Sequence, residues 1–247
     1  MFPKILLFDI ETAPISAFVW RVWQENIGLE QIEKDWFTLS WAAKWLYDSK
    51  VMGEVLTPKE SKEEDDYRIV KKLWGLFNEA DVIVAHNGDG FDIPKMNTRF
   101  VLWGFEPPSS YRSIDTLKEA RKHFSFTHNR LDYLGEVFGV GRKIETDFKL
   151  WKACLQGEKK SLDKMLKYNK QDVLLLEEVY LKLRPWIKSH PNLSIFMDGK
   201  HCPYCGNDKL ENSGKYATQC NIYQSLRCKK CGGISRFTSK TLIPIAH

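Results

Sequence analysis

The sequence predicts a mixed α/β domain followed by a small cysteine-rich module. Short apolar runs alternate with segments whose apolar residues recur at helical spacing, as in residues 4–11 and 67–80. Four of the six cysteines form two Cys-x-x-Cys pairs near the C-terminus. With 43% hydrophobic and 28% charged residues, a chain of 247 residues has room for one sizeable core and an appended module.

Three strands are predicted to open the domain as an antiparallel meander. Residues 4–11 are apolar and too few for a buried helix, which favours a strand. Residues 37–47 and 50–57 read as two further strands joined by an Asp-Ser turn. The charge run over 59–66 predicts a solvated loop and the start of a helix.

The middle of the chain alternates between helix and strand. Asp92 is a plausible N-cap for one predicted helix, and Asp115 for another that follows a short strand. The predicted elements are a helix over 67–80, a strand over 81–87, a helix over 92–104 and a short strand over 112–116.

The clearest predicted helix spans residues 161–186. Ser161 is a good N-cap, and Pro185 predicts an end near Arg184. Its apolar residues form one stripe at the 3.6-residue period: Leu162, Leu166, Val173, Leu176, Tyr180 and Leu183.

After this helix the periodicity is lost, which predicts a domain boundary. The expected division is a domain over 1–188, a linker over 189–200 and a cysteine-rich module over 201–247. The net charge of +5 lies in residues 189–247, which hold eight Lys and Arg against three Asp and Glu. A basic surface suits nucleic acid, but on charge alone an ordinary solvated surface is the preferred interpretation.

No part of the sequence predicts a membrane span or an export signal. No stretch approaches 18 uncharged apolar residues, and the first residues lack the pattern of a signal peptide. We therefore expect an intracellular protein, cytoplasmic or associated with the nucleoid, that has no membrane partner.

Carboxylates occur at three places that suit a metal site. Asp9 and Glu11 are two positions apart on a predicted strand, so their side chains share a face. Asp92 follows a glycine-containing loop. Asp172 adjoins the apolar stripe of the last helix, one turn after Tyr168. Two divalent cations that activate a phosphodiester require about this set of hard oxygen ligands. Each acid has a structural alternative, since Asp92 suits a helix cap and Asp172 a partly exposed helix position.

Taken in order, these segments resemble the motifs of the DEDD exonucleases, a ribonuclease H-like superfamily that includes polymerase proofreading domains. "FDIET" (8–12) resembles the first motif, "HNGDGFD" (86–92) the second and "YNKQD" (168–172) the third in its tyrosine form. "RLDYLGEVFGVG" (130–141) resembles the helix that precedes the third motif. The resemblance covers about residues 3–185 and implies a ribonuclease H-like mixed sheet flanked by helices.

The resemblance also implies roles for individual residues. Asp9 would bridge two Mg²⁺ or Mn²⁺ ions, Glu11 and Asp172 would hold the first ion, Asp92 would bind the second, and Tyr168 would orient the attacking water. Asn87 and Phe91 would contact the terminal nucleotide. The sister subclass has a histidine where this chain has Lys167, which favours the tyrosine form. Asp115 is expected to cap a helix, and Asp89 is a weaker rival of Asp92.

The four paired cysteines predict a zinc site. Cys202 with Cys205, and Cys228 with Cys231, are separated by 22 residues, near the spacing of four-cysteine zinc sites. The segment resembles a zinc ribbon, in which one Zn²⁺ is structural and not catalytic. Disulfides are the alternative, which the expected intracellular location disfavours. His201 and Cys220 are adjacent to the pairs and are not expected to bind zinc, and Cys154 is expected to be an inert buried thiol.

Together these features indicate a metal-dependent 3′→5′ exonuclease that releases nucleoside 5′-monophosphates from nucleic acid with a free 3′ end. DNA is favoured as substrate, with RNA left open. Two alternatives are a structure-specific endonuclease or resolvase of the same fold, and a nucleic-acid-binding module without catalysis. The ribbon could bind nucleic acid or a replication or repair protein.

Overall fold

A five-stranded mixed sheet forms the centre of the main domain. The computed structural model describes residues 3–23, 26–142, 146–238 and 241–246. The strand order is β5-β4-β1-β6-β7. Its strands are β1 (Ile5–Thr12), β4 (Thr38–Trp45), β5 (Met52–Val55), β6 (Val82–Ala85) and β7 (Arg112–Asp115). A separate two-stranded sheet, absent from the sequence prediction, pairs β2 (Ser16–Ala17) with β3 (Ile32–Lys34).

The pairing of β1 confirms the predicted mixed α/β fold and the opening meander. β1 runs antiparallel to β4, with Asp9 opposite Ala42 and Glu11 opposite Ser40. On its other edge β1 is parallel to β6, but only from Ile5 to Leu7. The second half of β1 therefore extends past β6, and the residues after Leu7 are paired with β4 alone.

Seven helices flank the sheet in the described part of the chain. They are α1 (Pro58–Glu63), α2 (Tyr67–Glu79), α3 (Asp92–Leu102), α4 (Thr116–His123), α5 (Leu131–Val137), α6 (Phe148–Leu155) and α7 (Lys159–Leu183). α7 packs against β1, β4 and β5. It ends at Arg184, as Pro185 predicted, but its N-cap is Glu158 and not Ser161. The structure adds α1 and α6 to the predicted helices.

The two faces of the sheet bury two apolar clusters. Leu6, Phe8 and Ile10 of β1 belong to the cluster that also contains residues of α2 and α3. Ile5 and Leu7, which point the opposite way, belong to the cluster that contains the C-terminal half of α7. This alternation places Asp9 and Glu11 on the same face as Ile5 and Leu7.

The charge run over 59–66 differs from the predicted solvated loop. Thr57 caps α1, where its hydroxyl accepts from the Glu60 amide while Glu60 binds the Thr57 amide in return. Asp66 is fully buried and accepts from Arg99 at 2.6 Å and from the indole of Trp103 at 2.7 Å. Asp66 is buried because Arg99, which lies 33 residues further along the chain, neutralises its charge. The local run of acids gave no indication of this distant partner.

The C-terminal module is predicted over residues 201–247, and its described residues contain a four-stranded antiparallel sheet. Its strand order is β11-β10-β9-β8, with bounds β8 (Leu210–Ala217), β9 (Ile222–Cys228), β10 (Ile234–Thr238) and β11 (Thr241–Ala246). The predicted linker contains a short 3-10 helix, Leu193–Phe196, in which Leu193 is buried and its amide donates to the carbonyl of Pro203.

Among the residues that the structure describes, none of the helices combines the length and the apolar character that crossing a bilayer requires.

Candidate active site

The C-terminal half of β1 presents two carboxylates toward α7. Asp9 and Glu11 are alternate residues, so they extend the face formed by Ile5 and Leu7. This half of the strand projects beyond β6, which leaves space above the sheet edge. A strand that continues past its neighbour is the local feature that carries both acids out of the apolar core.

The third carboxylate comes from the middle of α7. Asp172 is completely buried, and Tyr168, one turn earlier, is 8% exposed. Asp9, Glu11 and Asp172 each present a carboxylate oxygen, and these three oxygens lie within 4.8 Å of one another. Tyr168 packs in the first apolar cluster and Val173 in the second, so Asp172 lies where the two cores meet.

A buried asparagine on α7 joins the helix to the strand. The Nδ2 of Asn169 donates to Oδ2 of Asp9 at 2.5 Å, and its Oδ1 accepts from the Ser40 hydroxyl at 3.1 Å. Ser40 lies opposite Glu11 on β4. Asn169 therefore fixes the side chain of Asp9 from behind, and the sequence analysis did not identify this residue. The one sequence signal for Asn169 is its position inside the Tyr-Asn-Lys-Gln-Asp motif, three residues before Asp172, and its contact with Asp9 is visible only in the structure.

Asp92 reaches the other edge of β1. Its Oδ1 accepts from the amide of Ile10 at 3.3 Å, which satisfies a strand amide beyond the last pairing with β6. Asp92 is 3% exposed and is the first residue of α3, whose N-cap is Phe91, so the predicted capping role is wrong. Its hydrogen bond to Ile10 places it beside both Asp9 and Glu11, although it lies outside the group of three close carboxylates.

The loop before α3 has a constrained backbone. Asn87 has a positive φ of 68°, a conformation that asparagine tolerates better than most residues. A Cβ on Gly88 would lie 2.4 Å from the Cβ of Ala85, so only glycine allows this approach to β6. The loop leaves the Phe91 ring 38% exposed at the start of α3.

Asp115 and Asp89 hold this loop in place from the other side. Asp115 caps α4 by accepting from the amides of Leu117 and Lys118, as predicted. It also accepts from the amides of Asn87 at 2.9 Å and Asp89 at 3.3 Å. The Asp89 side chain pairs with the ammonium of Lys118 at 2.9 Å. Both acids therefore support the loop and lie apart from the carboxylate group.

The three close carboxylates fit a divalent cation. Two negative charges 4.8 Å apart repel by about 3 kcal/mol at an effective dielectric constant of 20, and three such pairs exist here. A hard cation removes this repulsion and prefers carboxylate oxygens at 2.0–2.1 Å for Mg²⁺, so oxygens on one ion lie at most about 4.2 Å apart. The separation in the structure is close to this limit.

The four paired cysteines converge in the C-terminal module. Cys202 and Cys231 have Sγ atoms 3.6 Å apart, as do Cys205 and Cys228, and all four sulfurs lie within 4.8 Å. A disulfide requires about 2.05 Å, whereas thiolates on a tetrahedral zinc, with Zn–S near 2.3 Å, lie about 3.8 Å apart. Hydrogen bonds from Cys202 and Cys231 lower the pKa of Cys205, so its thiolate forms most readily.

The remaining cysteines and His201 lie outside this cluster. His201 contacts the backbone carbonyls of Asp198 and Gly206 through its two ring nitrogens, and Cys220 is exposed in a turn. Burial raises the pKa of Cys154 to about 12, which keeps it a neutral and unreactive thiol.

Comparison with known proteins identifies the family. A profile of the RNase H superfamily matches residues 6–184, which is most of the chain and includes β1, the loop before α3 and the carboxylates of α7. The chain belongs to the RNase H superfamily. RNase H-like nucleases use divalent metal ions, which agrees with the fit of the three close carboxylates to a divalent cation.

This RNase H superfamily member is similar in sequence to one DNA polymerase and in fold to another. It is 34% identical over 84 residues to a DNA polymerase III of the PolC type from Ureaplasma parvum serovar 3, an alignment that covers 34% of this chain and 5% of the polymerase. The family B DNA polymerase of the archaeon Pyrobaculum calidifontis has a similar fold, with a TM-score of 0.53 and 20% identity. That match covers 74% of this chain and 25% of the polymerase.

Proposed function

We propose that the chain is a metal-dependent 3′→5′ exonuclease that hydrolyses phosphodiester bonds and releases nucleoside 5′-monophosphates. The observation that carries the proposal is the convergence of Asp9, Glu11 and Asp172 within 4.8 Å, with Asp92 bonded to the strand between the first two. The RNase H superfamily, to which the chain belongs, includes nucleases. The 3′→5′ direction rests on the resemblance of the three motifs to the DEDD exonucleases.

In this proposal four carboxylates would hold two Mg²⁺ or Mn²⁺ ions. Asp9, Glu11 and Asp172 would hold the first ion, and Asp92 with Asp9 would hold the second. When bound, the ions would act as Lewis acids toward the phosphate and would lower the pKa of the attacking water. Asn169 fixes the orientation of the Asp9 carboxylate, which metal binding at this position would require.

The remaining polar groups position the reactants. Tyr168 lies one turn from Asp172 on α7, and we assign its hydroxyl to orienting the attacking water. Phe91 presents an exposed ring beside Asp92, and Asn87 stands at the turn before it, so both are assigned to the terminal nucleotide. An aromatic face stacks on any base, which suits an enzyme that removes nucleotides one after another.

DNA is the favoured substrate, because two similar proteins are DNA polymerases by name. The C-terminal module is proposed to be a zinc ribbon in which Cys202, Cys205, Cys228 and Cys231 hold one structural Zn²⁺. A site closed by four thiolates leaves no position for substrate, so the zinc stabilises the module and takes no part in hydrolysis.

Digestion ladders test the proposal directly. DNA and RNA oligonucleotides labelled at the 5′ end should shorten one nucleotide at a time from the 3′ end in Mg²⁺ or Mn²⁺, while a 3′ label should appear at once as a mononucleotide. Asp9→Asn should abolish the ladder and keep the far-ultraviolet circular dichroism of the wild type.

Each outcome distinguishes a class of function. Internal fragments in place of a ladder would indicate an endonuclease, and binding without any cleavage would indicate a module that only binds nucleic acid. Cleavage by Asp9→Asn at the wild-type rate would refute the assignment of the carboxylates. Glu63→Gln removes an exposed acid of α1 that pairs with Lys59 at 3.8 Å, and it should leave the ladder unchanged.

A further inference from the structure

A cleft of about 770 Å³ lies between the C-terminal end of α7 and the C-terminal module. Lys182 and Arg184 line it from α7 and the residue after it, and Arg227 and Lys230 line it from the module. Glu178 is the one acid among its lining residues. Two separate segments of the chain thus contribute two cations each to the same space.

Arg184 is the anchor of this cleft. It is 3% exposed, and its Nη1 donates to the hydroxyl of Tyr47 at 2.8 Å. Its Nε is buried without a hydrogen-bond acceptor, and no carboxylate in the described part of the chain forms an ion pair with it. Its charge is stabilised by Tyr180, Tyr47 and the Cys205 sulfur but by no carboxylate, and an anionic ligand in the cleft would offset more of the cost of burying it.

The remaining charges keep the cleft positive. Four thiolates with one zinc would carry two negative charges, and Cys231 of that site also lines the cleft. Four cations exceed these two charges and Glu178 combined. Trp186 adds an aromatic surface, since its side chain is 60% exposed and meets Phe124 edge to face, with ring centroids 5.5 Å apart.

We propose that this cleft binds the phosphate backbone of a single-stranded segment of the substrate, with a base stacked on Trp186. The inference rests on the proposed nuclease function and adds a second binding region remote from the carboxylates. Guanidinium groups recognise phosphate oxygens through paired hydrogen bonds, and exposed rings stack on bases whatever the sequence. DNA and RNA share this chemistry, and the test uses both.

The position of the cleft sets a length requirement. Asp172 and Arg184 are 12 residues apart on α7 and its continuation, which at 1.5 Å per residue is about 18 Å. At the 3.4 Å rise of a fully stacked strand this span is about five nucleotides, and an extended strand covers it with fewer. Oligonucleotides shorter than this should reach the carboxylates alone, and longer ones should reach both regions.

Two double variants of equal net charge test the inference. Lys182→Ala with Lys230→Ala removes two cations of the cleft. Lys164→Ala with Lys229→Ala is the matched control. Lys229 lies between Cys228 and Cys231, as Lys230 does, but it is outside the cleft and pairs with Glu211. Lys164 is exposed near the other end of α7. Binding of fluorescent oligonucleotides is measured by anisotropy at several salt concentrations, in an Asp9→Asn background of the full zinc-bound chain.

The cleft variant should bind long DNA and RNA strands more weakly than the control, and the slope of log K against log salt should flatten by about 1.4 relative to it. Both variants should bind oligonucleotides shorter than about five nucleotides equally. Trp186→Ala should weaken the binding of long strands about fivefold or more, and Trp186→Phe should restore it. Equal affinities and salt slopes for the two double variants would overturn the inference, whether or not the wild type cleaves its substrate.

Discussion

Asp172 shows at the scale of one residue how the candidate active site is built into the core. It has no exposed surface, and its oxygen lies within 4.8 Å of oxygens from two other carboxylates. Three anions this close destabilise the folded chain when no cation is present. Function and stability therefore oppose each other here, and each can be measured separately.

Asp172→Asn should raise the melting temperature of the protein by at least about 2–4 °C in buffer without magnesium, because it removes two of the three repulsive carboxylate pairs and each 1 kcal/mol regained shifts the melting temperature by about this amount. The same variant should lose the further rise that Mg²⁺ gives the wild type, and it should lose activity. Thermal melts with and without Mg²⁺, with zinc retained, measure both effects. A melting temperature below that of the wild type without Mg²⁺ would contradict this account.

Tyr168→Phe tests whether the phenol orients water. The variant keeps the ring in the apolar cluster and loses only the hydroxyl, so folding and Mg²⁺ affinity should hardly change. A misplaced water should lower kcat about 100-fold with little effect on KM. Single-turnover cleavage measures this, and an unchanged kcat would leave Tyr168 as a core residue alone.

Asn169→Ala tests the group that orients Asp9. Loss of the 2.5 Å hydrogen bond should weaken Mg²⁺ affinity about 10–100-fold, and high Mg²⁺ should restore the rate. Ser40→Ala removes only the contact that holds the far side of the Asn169 amide, so its effect should be smaller and in the same direction. Titration of activity with Mg²⁺ gives both values, and identical midpoints for wild type and Asn169→Ala would exclude the orienting role.

At the scale of elements, Arg68 of α2 joins three parts of the fold. Its guanidinium donates to Glu54 of β5, to Glu60 of α1 and to the carbonyl of Val55. The hydrogen bond from Arg68 is the main cause that lowers the pKa of Glu60 from 4.5 to about 2. Because the pKa is lowered in the folded state, the pair stabilises the protein above about pH 4.5 and loses this effect as the pH falls through about 2.

Glu60→Gln isolates the charge of this pair, because glutamine can still complete the capping box with Thr57. The variant should be less stable than the wild type by about 1 kcal/mol at neutral pH, a modest value because the pair is partly exposed. The difference should shrink between about pH 4.5 and 2. Urea unfolding at several pH values measures it; a difference that persists at the acid end would assign the effect to packing.

The elements that the sequence predicted best are those whose periodicity is internal to one segment. The stripe along α7 and the apolar run of β1 each specify their own structure. The burial of Asp66 depends on Arg99, and the role of Asn169 depends on Asp9, which lies 160 residues away. Contacts of this kind are invisible to local patterns, and only the resemblance of the three motifs indicated that the carboxylates converge.

At the scale of the whole molecule, a layer of buried polar and aromatic groups connects the C-terminal module to α7. The Nε2 atom of His190 is hydrogen-bonded to the hydroxyl oxygen of Tyr180 at 2.7 Å. The centroid of the His190 ring lies 5.8 Å from that of Tyr204, which packs beside the cysteine cluster. Burial lowers the pKa of His190 to about 4, so it is neutral near neutral pH. The division into domains at 188 and 200 stays a prediction, because residues of the linker pack on both sides.

The module should bind one zinc per chain, and removing its ligands should unfold it. A segment this small buries too little apolar surface to fold without the metal. Cys202→Ser with Cys231→Ser should lose the zinc, retain cleavage of a short oligonucleotide at high concentration and bind longer substrates more weakly. Zinc content and KM against substrate length measure this. Retention of zinc by the double variant would refute the four-thiolate site.

The order in which the chain is synthesised bears on the carboxylate group. Asp9 and Glu11 are translated long before Asp172. The Asn169 bond to Asp9 spans 160 residues, so the group cannot assemble until α7 has left the ribosome. A nascent polypeptide that lacks α7 therefore has no complete carboxylate group. Contacts this distant in sequence slow folding, so the proposed hydrolytic activity should begin only after α7 has docked on the sheet.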